Sequence, residues 1–245
     1  MTTEPLPADA RRHVLTAHQP VYLPWLGLLH KIWLAQTFVS FDDVQYLPKD
    51  WNNRNKIKSA SGPIWLTVPV LRKGYLEKPI REIEINNAEP WRRKHWRSLE
   101  GAYAKAPYWD DYAEFFRDLY EREWRTLAEL NEHVLRWLLE TLGISVRFER
   151  ASELGLEGAK SALVLDMCVK LGADVYVFGA LGRDYADVEA FRAAGVEPVF
   201  QEYRHPEYPQ LHGAFEPYLS VVDLLFNCGP ESLDVIVSGQ ERTIP

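Results

Sequence analysis

The stretch HVLTAHQPVYLPWLGLLHKIWLAQTFVSFDD, residues 13–43, changes its periodicity twice, and those changes decide the fold. Val14 to Ala17 is an apolar run of strand type, closed by His18-Gln19-Pro20, where Pro20 can neither donate to a ladder nor continue straight. From Trp25 the apolar positions Leu26, Leu29, Trp33 and Leu34 recur at helical spacing behind Pro24, a residue suited to a helix start. Thr37 to Phe41 is again β-branched and aromatic and stops at Asp42 and Asp43. Strand, helix and strand predict a βαβ unit, whose loops gather at the carboxyl edge of a parallel sheet.

Working outward, Lys49 to Lys58 reads as a polar, basic loop, and Trp65 to Val70 and Ile80 to Ile85 as strands. After Pro90 the chain turns helical, and Phe116, Tyr120, Trp124, Leu127, Leu130, Val134 and Leu138 predict one long helix that ends at Gly143. Beyond it, Ile144–Phe148, Val175–Phe178 and Val196–Gln201 are strand-like, and they alternate with helical runs at 162–171 and 188–194. The prediction is an α/β fold: a Rossmann-like, mostly parallel sheet with flanking helices and a helical insertion around 90–143. Residues 1–12, polar and carrying Pro5 and Pro7, read as a disordered lead-in to a single domain over 13–245.

The 245 residues carry 28 Lys and Arg against 35 Asp and Glu, a net charge of -7, so nothing global attracts a nucleic-acid backbone and no nucleic-acid partner is expected. Cys168 and Cys228 are too few for a disulfide framework or a thiolate zinc site. No signal sequence and no membrane span is read from the chain, and a cytoplasmic location is expected. Nine Trp, twelve Tyr and ten Phe supply either a core or the walls of a ligand pocket.

His18 sits where a strand ends before a helix, a place that favours an anionic ligand and where imidazole can serve as acid or base. The alternative is that it bonds its own loop. Of Asp42 and Asp43, the strand period sends one toward the ligand edge and the other away, unless both merely cap the basic loop. Asn53 and Arg54, in the run WNNRNKIK, suit a phosphate or carboxylate, or else a plain turn. Lys160 and Ser161 precede a helix, with Ser161 placed as N-cap, and Gly179 follows a strand where a bare backbone admits a ligand. His205, Tyr208 and Gln210 lie in a proline-rich stretch fit for a lid, and His205 and His212 lack metal-site spacing, so no metal site is expected.

These pieces together resemble the WbqC-like family from His13 to about Gly229. The likeness is carried by HQPVYLPWLGLLHKI at 18–32, FDDVQY at 41–46, NRNKIK at 53–58, WLTVPV at 65–70, Lys160-Ser161, GADVYVFG at 172–179 and HPEYPQLHGAFEPYLSVVDLLFNCG at 205–229. The resemblance implies that residues of these motifs converge on one site. From their side-chain chemistry, catalytic roles are expected for His18, Asp42 and His205, and substrate-binding roles for Gln19, Tyr22, Asp43, Asn53, Arg54, Lys160, Ser161, Tyr208, Gln210 and Asp223. On this reading the segment from His205 to Asp223 folds over the strand ends at His18 and Asp42 and closes one pocket. No reaction follows from the resemblance; the convergence of His, carboxylate, Arg and Lys in these segments leads us to expect biosynthetic acyl or aminoacyl transfer to a sugar or amino-acid-derived intermediate, a small molecule bearing phosphate or carboxylate. No cofactor is specified. The alternatives are an ATP-dependent ligase or nucleotidyltransferase and a non-catalytic binding protein. The opening strand, His-bearing loop and helix are similar to the HxGH nucleotidyltransferases, but His18 and His30 stand twelve residues apart and form no such tetrapeptide.

Overall fold

The computed structural model describes residues 12–240; of the expected lead-in only Arg12 falls among them. In chain order the elements are β1 (Val14–His18), α1 (Leu26–Trp33), β2 (Thr37–Ser40), β3 (Arg54–Ser59), β4 (Gly62–Thr67), α2 (Trp91–Tyr103), α3 (Trp109–Glu121) and α4 (Leu127–Thr141). They continue with β5 (Arg147–Arg150), α5 (Ser161–Leu171), β6 (Val175–Phe178), α6 (Val188–Ala193), β7 (Glu197–Phe200), α7 (Val221–Cys228) and α8 (Ser232–Ser238). Five strands form one sheet in the order β5-β2-β1-β6-β7, and every neighbouring pair is parallel. The chain winds from β1 out to β2 and β5, then returns to place β6 on the other side of β1. The junction of β1 and β6 is therefore a topological switch point, outside whose carboxyl ends such sheets bind ligands.

Strands buried on both faces lose the polar half of the two-residue alternation, which explains why VLTA, TFVS and VYVF are nearly continuous in apolar or small residues. On one face Leu15, Ala17, Val39, Tyr176 and Phe178 pack with Met167 and Cys168 of α5 and Phe191 of α6. On the other, Val14, Val175 and Val177 meet Leu34 and Ala35 behind α1. The largest core joins α1 to α2, α3, α4 and α7, with Phe38 reaching in from β2.

Three local expectations are corrected. The long helix is two helices, because Thr126 caps α4: its hydroxyl accepts from Glu129 N while the Glu129 carboxylate accepts from Thr126 N, a reciprocal pair that starts a new helix across an uninterrupted apolar period. Residues 54–58 are not loop but strand β3, paired antiparallel with β4. Their inward positions are Asn55 and Ile57, so the apolar alternation that marks a strand is half missing. Ile80 to Ile85 opens as a 3-10 turn behind Pro79, with Ile80, Ile83 and Ile85 buried.

Candidate functional site

A cavity of about 590 Å³ opens at the switch point. Its floor is the carboxyl ends of the central strands: Ala17 and His18 after β1, Phe41 after β2, Phe178 and Gly179 after β6, and Gln201 after β7. Gln19, Trp25 and Lys31 come from the β1–α1 loop and α1, while Asp50, Trp51 and Asn52 come from the segment leading into β3. Leu181 and Tyr185, both exposed, stand on the far rim.

The β1–α1 loop is non-repetitive, and Leu23 adopts a left-handed backbone with φ 48°. Its carbonyls cannot find partners in a ladder, and buried carbonyls need donors. Asparagines supply them. Asn52 Nδ2 donates to Pro20 O at 2.9 Å, Asn55 Nδ2 donates to Leu23 O, and Tyr22 N donates to Trp51 O at 3.1 Å. Asn131 on α4 in turn donates to Asn52 O at 2.8 Å. Of the three Asn in four positions, Asn52 and Asn55 thus brace the loop that carries His18, while Asn53 bonds Val68 O.

His18 Nδ1 bonds Gln19 O at 2.8 Å, so Nδ1 bears the proton and Nε2 is left as the acceptor nitrogen. Burial, and the nearby Lys31 charge, push the imidazole down to about 3, so the ring is neutral at neutral pH. Trp25 meets it edge-on at 5.3 Å. Lys31 is 5% exposed, with its Nζ donating to Ala17 O at 2.9 Å, and burial lowers this amine to about 8. One ammonium therefore sits under the cavity beside one imidazole lone pair. Gln201 braces the same wall, its amide donating to Gly27 O at 2.9 Å and reaching His30 Nδ1 at 2.8 Å.

Of the residues expected at one site, only His18 and Gln19 line this cavity. Asp42 and Asp43 lie in a turn past the end of β2, Asp42 buried and Asp43 exposed, and Asp42 accepts from Ser152 N and Oγ at 2.9 and 2.6 Å and faces a second cavity of about 510 Å³, lined with Arg81, Arg122, Arg136 and Arg150. Asp43 pairs with Arg81. Tyr22 is buried beneath the loop, bonded to Tyr120 Oη at 2.5 Å and His95 Nδ1 at 2.9 Å. Asn53 holds Val68 O at 2.8 Å. Arg54 lies on the outer face of the hairpin, over the Trp65 ring.

Lys160 and Ser161 stand away from the cavity at the start of α5. Ser161 is not the N-cap: Lys160 takes that position with φ 51°, and Ser161 Oγ accepts from Asp187 N at 2.8 Å. His205 lines a separate cavity with Arg204, Ser238 and Gln240.

The segment from His205 to Asp223 does not close the His18 cavity; no residue of it lines that space. Its polar groups find other partners. Tyr208 and Tyr103 hydroxyls donate to the two Asp223 oxygens at 2.9 and 2.7 Å, Lys58 Nζ donates to Gln210 Oε1 and Ala214 O at 3.1 and 2.6 Å, and His212 Nε2 bonds Ala102 O at 2.7 Å. Burial raises the Asp223 carboxyl despite these donors. Tyr208 is buried in the main core, with Phe215 and Leu211 packed against it, so the segment does have apolar material to bury, and it buries it against the hairpin and α2.

Residues that the sequence reading passed over matter more. Lys31 is a charged side chain in an eight-residue helix otherwise made of apolar residues, Gly and His, a pattern that forces a buried cation. Trp25, Trp51 and Asn52 carried no signal of their own, because their role depends on the hairpin returning to the loop.

A family model described as the WbqC-like protein family matches residues 19–235. The uncharacterized protein Rv1507c of Mycobacterium tuberculosis is 36% identical over 220 residues, covering 89% of this chain and 95% of that protein. No solved structure matches. The match spans the β1–α1 loop, the hairpin and the C-terminal latch alike, and the chain belongs to the WbqC-like protein family.

Proposed function

We propose that the chain is a biosynthetic transferase of acyl or aminoacyl type that works on a small sugar or amino-acid-derived molecule in the switch-point cavity. The observation that carries this reading is the His18 ring, neutral and with its lone pair on Nε2, in a cavity whose volume and mixed aromatic and polar walls suit a small ligand. An amine or hydroxyl of the acceptor donates its hydrogen bond to Nε2. As its bond to the acyl carbon forms, the proton moves to Nε2, and as the bond between the acyl carbon and the leaving group breaks, Nε2 passes that proton to the leaving group. Lys31 keeps two N–H donors beyond the one given to Ala17 O, and its ammonium offsets the negative charge that develops on the acyl oxygen.

His18→Ala is expected to lower transfer by about 10²- to 10⁴-fold, the usual worth of a positioned acid or base. The melting temperature should barely move. A screen of acyl donors and sugars by thermal shift, followed by turnover assays on the hits, measures this. Full activity of His18→Ala on a substrate so found would remove His18 from the chemistry.

A second reading, an ATP-dependent ligase or nucleotidyltransferase, is favoured by one feature, the position of the cavity at the point where doubly wound sheets hold nucleotides. Stabilisation by ATP with magnesium, and not by acyl donors or sugars, would select it.

A further inference from the structure

From the wall of the His18 cavity a line of aromatic rings runs outward to the hairpin. His18 meets Trp25 at 5.3 Å, Trp25 meets Trp51 at 5.8 Å, and Trp51 meets Trp65 at 5.6 Å. Trp65 lies on β4 opposite Lys56, is 44% exposed, and carries the Arg54 guanidinium at 4.4 Å and the Lys56 ammonium at 5.2 Å from its ring centre. Arg54 and Lys56, two positions apart on β3, share one strand face.

Neither charge is paired with a carboxylate among the described residues, whereas eight arginines there are: Arg81, Arg92, Arg125, Arg136, Arg147, Arg150, Arg183 and Arg192. Arg54 Nη2 donates to Lys49 O, which pins the guanidinium over Trp65, and its Nε is buried without a partner. The surrounding stretch is basic against the trend of the whole: residues 47–78 hold seven Lys and Arg and two Asp and Glu, in a protein of net charge -7. A guanidinium held over a ring keeps N–H groups suited to paired oxygens, and a second cation alongside matches a doubly charged group better than a single carboxylate.

We propose that the substrate is a phosphate-bearing ring compound whose ring lies along Trp51 and Trp25 toward His18 and whose phosphate rests on Arg54 and Lys56 beside Trp65. The shared chemistry of nucleotides and sugar phosphates satisfies this, since both a base and the C–H face of a sugar lie well on indole. The inference rests on the switch-point cavity as the place of reaction, and it adds the class of substrate.

The test is a tryptophan-fluorescence titration with UDP, uridine, glucose 1-phosphate, glucose and inorganic phosphate, on the full chain, with hydrogen exchange followed by mass spectrometry on each binder. The phosphate-bearing rings are expected to bind, more weakly as salt rises, and their uncharged counterparts not. UDP over glucose 1-phosphate identifies a nucleotide, and the reverse a sugar phosphate. R54Q/K56Q should weaken binding by about 10- to 100-fold, the worth of one or two charge-assisted hydrogen bonds. Uridine binding as tightly as UDP, an unweakened double variant, or no saturable binding by either phosphate compound would overturn the inference. Protection over 54–67 with none over 18–29 would instead keep the anion site and refute the cavity as the place of reaction.

Discussion

His18 and Lys31 show how one residue's chemistry is set by what surrounds it. Burial disfavours the charged form of both groups: the imidazole, lowered to about 3, is neutral at pH 7, while the amine, lowered to about 8, stays mostly charged there. Two glycines on the opposite wall separate packing from function. A Cβ on Gly182 would lie 2.5 Å from Phe178 Cβ, while one on Gly179 would meet nothing within 4 Å, although both residues line the cavity. Gly182→Ala is therefore expected to cost about 1 to 3 kcal/mol in a denaturant titration, the usual penalty of overpacking. Gly179→Ala should stay within about 0.5 kcal/mol of the parent, yet weaken ligand binding by intruding on the cavity. Equal stability of the two variants would mean that the loop after β6 yields more easily than its contacts imply.

Elements take their limits from capping and bracing as much as from periodicity. The apolar stripe through α3 and α4 runs on past 122–126, and only the Thr126–Glu129 reciprocal pair divides it. Thr126→Ala is expected to cost about 1 kcal/mol, the common loss on removing an N-cap, and to speed amide exchange over the first turn of α4. Unchanged exchange there would show that packing alone starts the helix. The hairpin β3–β4 is the reverse case, an element that periodicity hides. Its inward Asn55 is spent on Leu23 O, so a polar residue occupies a core position because the neighbouring loop needs a donor.

Across the whole molecule, three histidines on different elements are buried neutral. Burial lowers His30 and His95 each to about 4 and His18 to about 3, against an ordinary value of 6.5. In the unfolded chain each takes up a proton as the pH falls through 6.5, whereas the folded state does not until its lower value is reached. Stability contributed by these groups is thus complete above about pH 6.5 and lost as the pH drops toward 4. Each buried histidine contributes a slope of up to about 1.4 kcal/mol per pH unit within that window. Guanidinium unfolding at pH 7 and pH 5 measures it, with a lower midpoint expected at pH 5; an equal or higher midpoint would mean that at least one ring is paired and charged. The parallel sheet and the position of His18 at a strand end were legible in residues 13–43 and in the later strands, because a two-residue or helical period is a local property that burial writes directly into the order of side chains. Which motif residues meet was not legible. His205, Tyr208, Gln210 and Asp223 share no cavity with His18: Tyr208, Gln210 and Asp223 are engaged with Lys58, Tyr103 and one another, and His205 bonds Pro206 O. Trp25, Trp51 and Trp65 join into one track only because the hairpin folds back over the first loop. The sequence by itself determined the alternation of strands and helices and the edge at which chemistry can sit; the tertiary structure alone decided which polar groups stay free at that edge, since a hydrogen-bonding group is available to a ligand only when no distant part of the chain has claimed it.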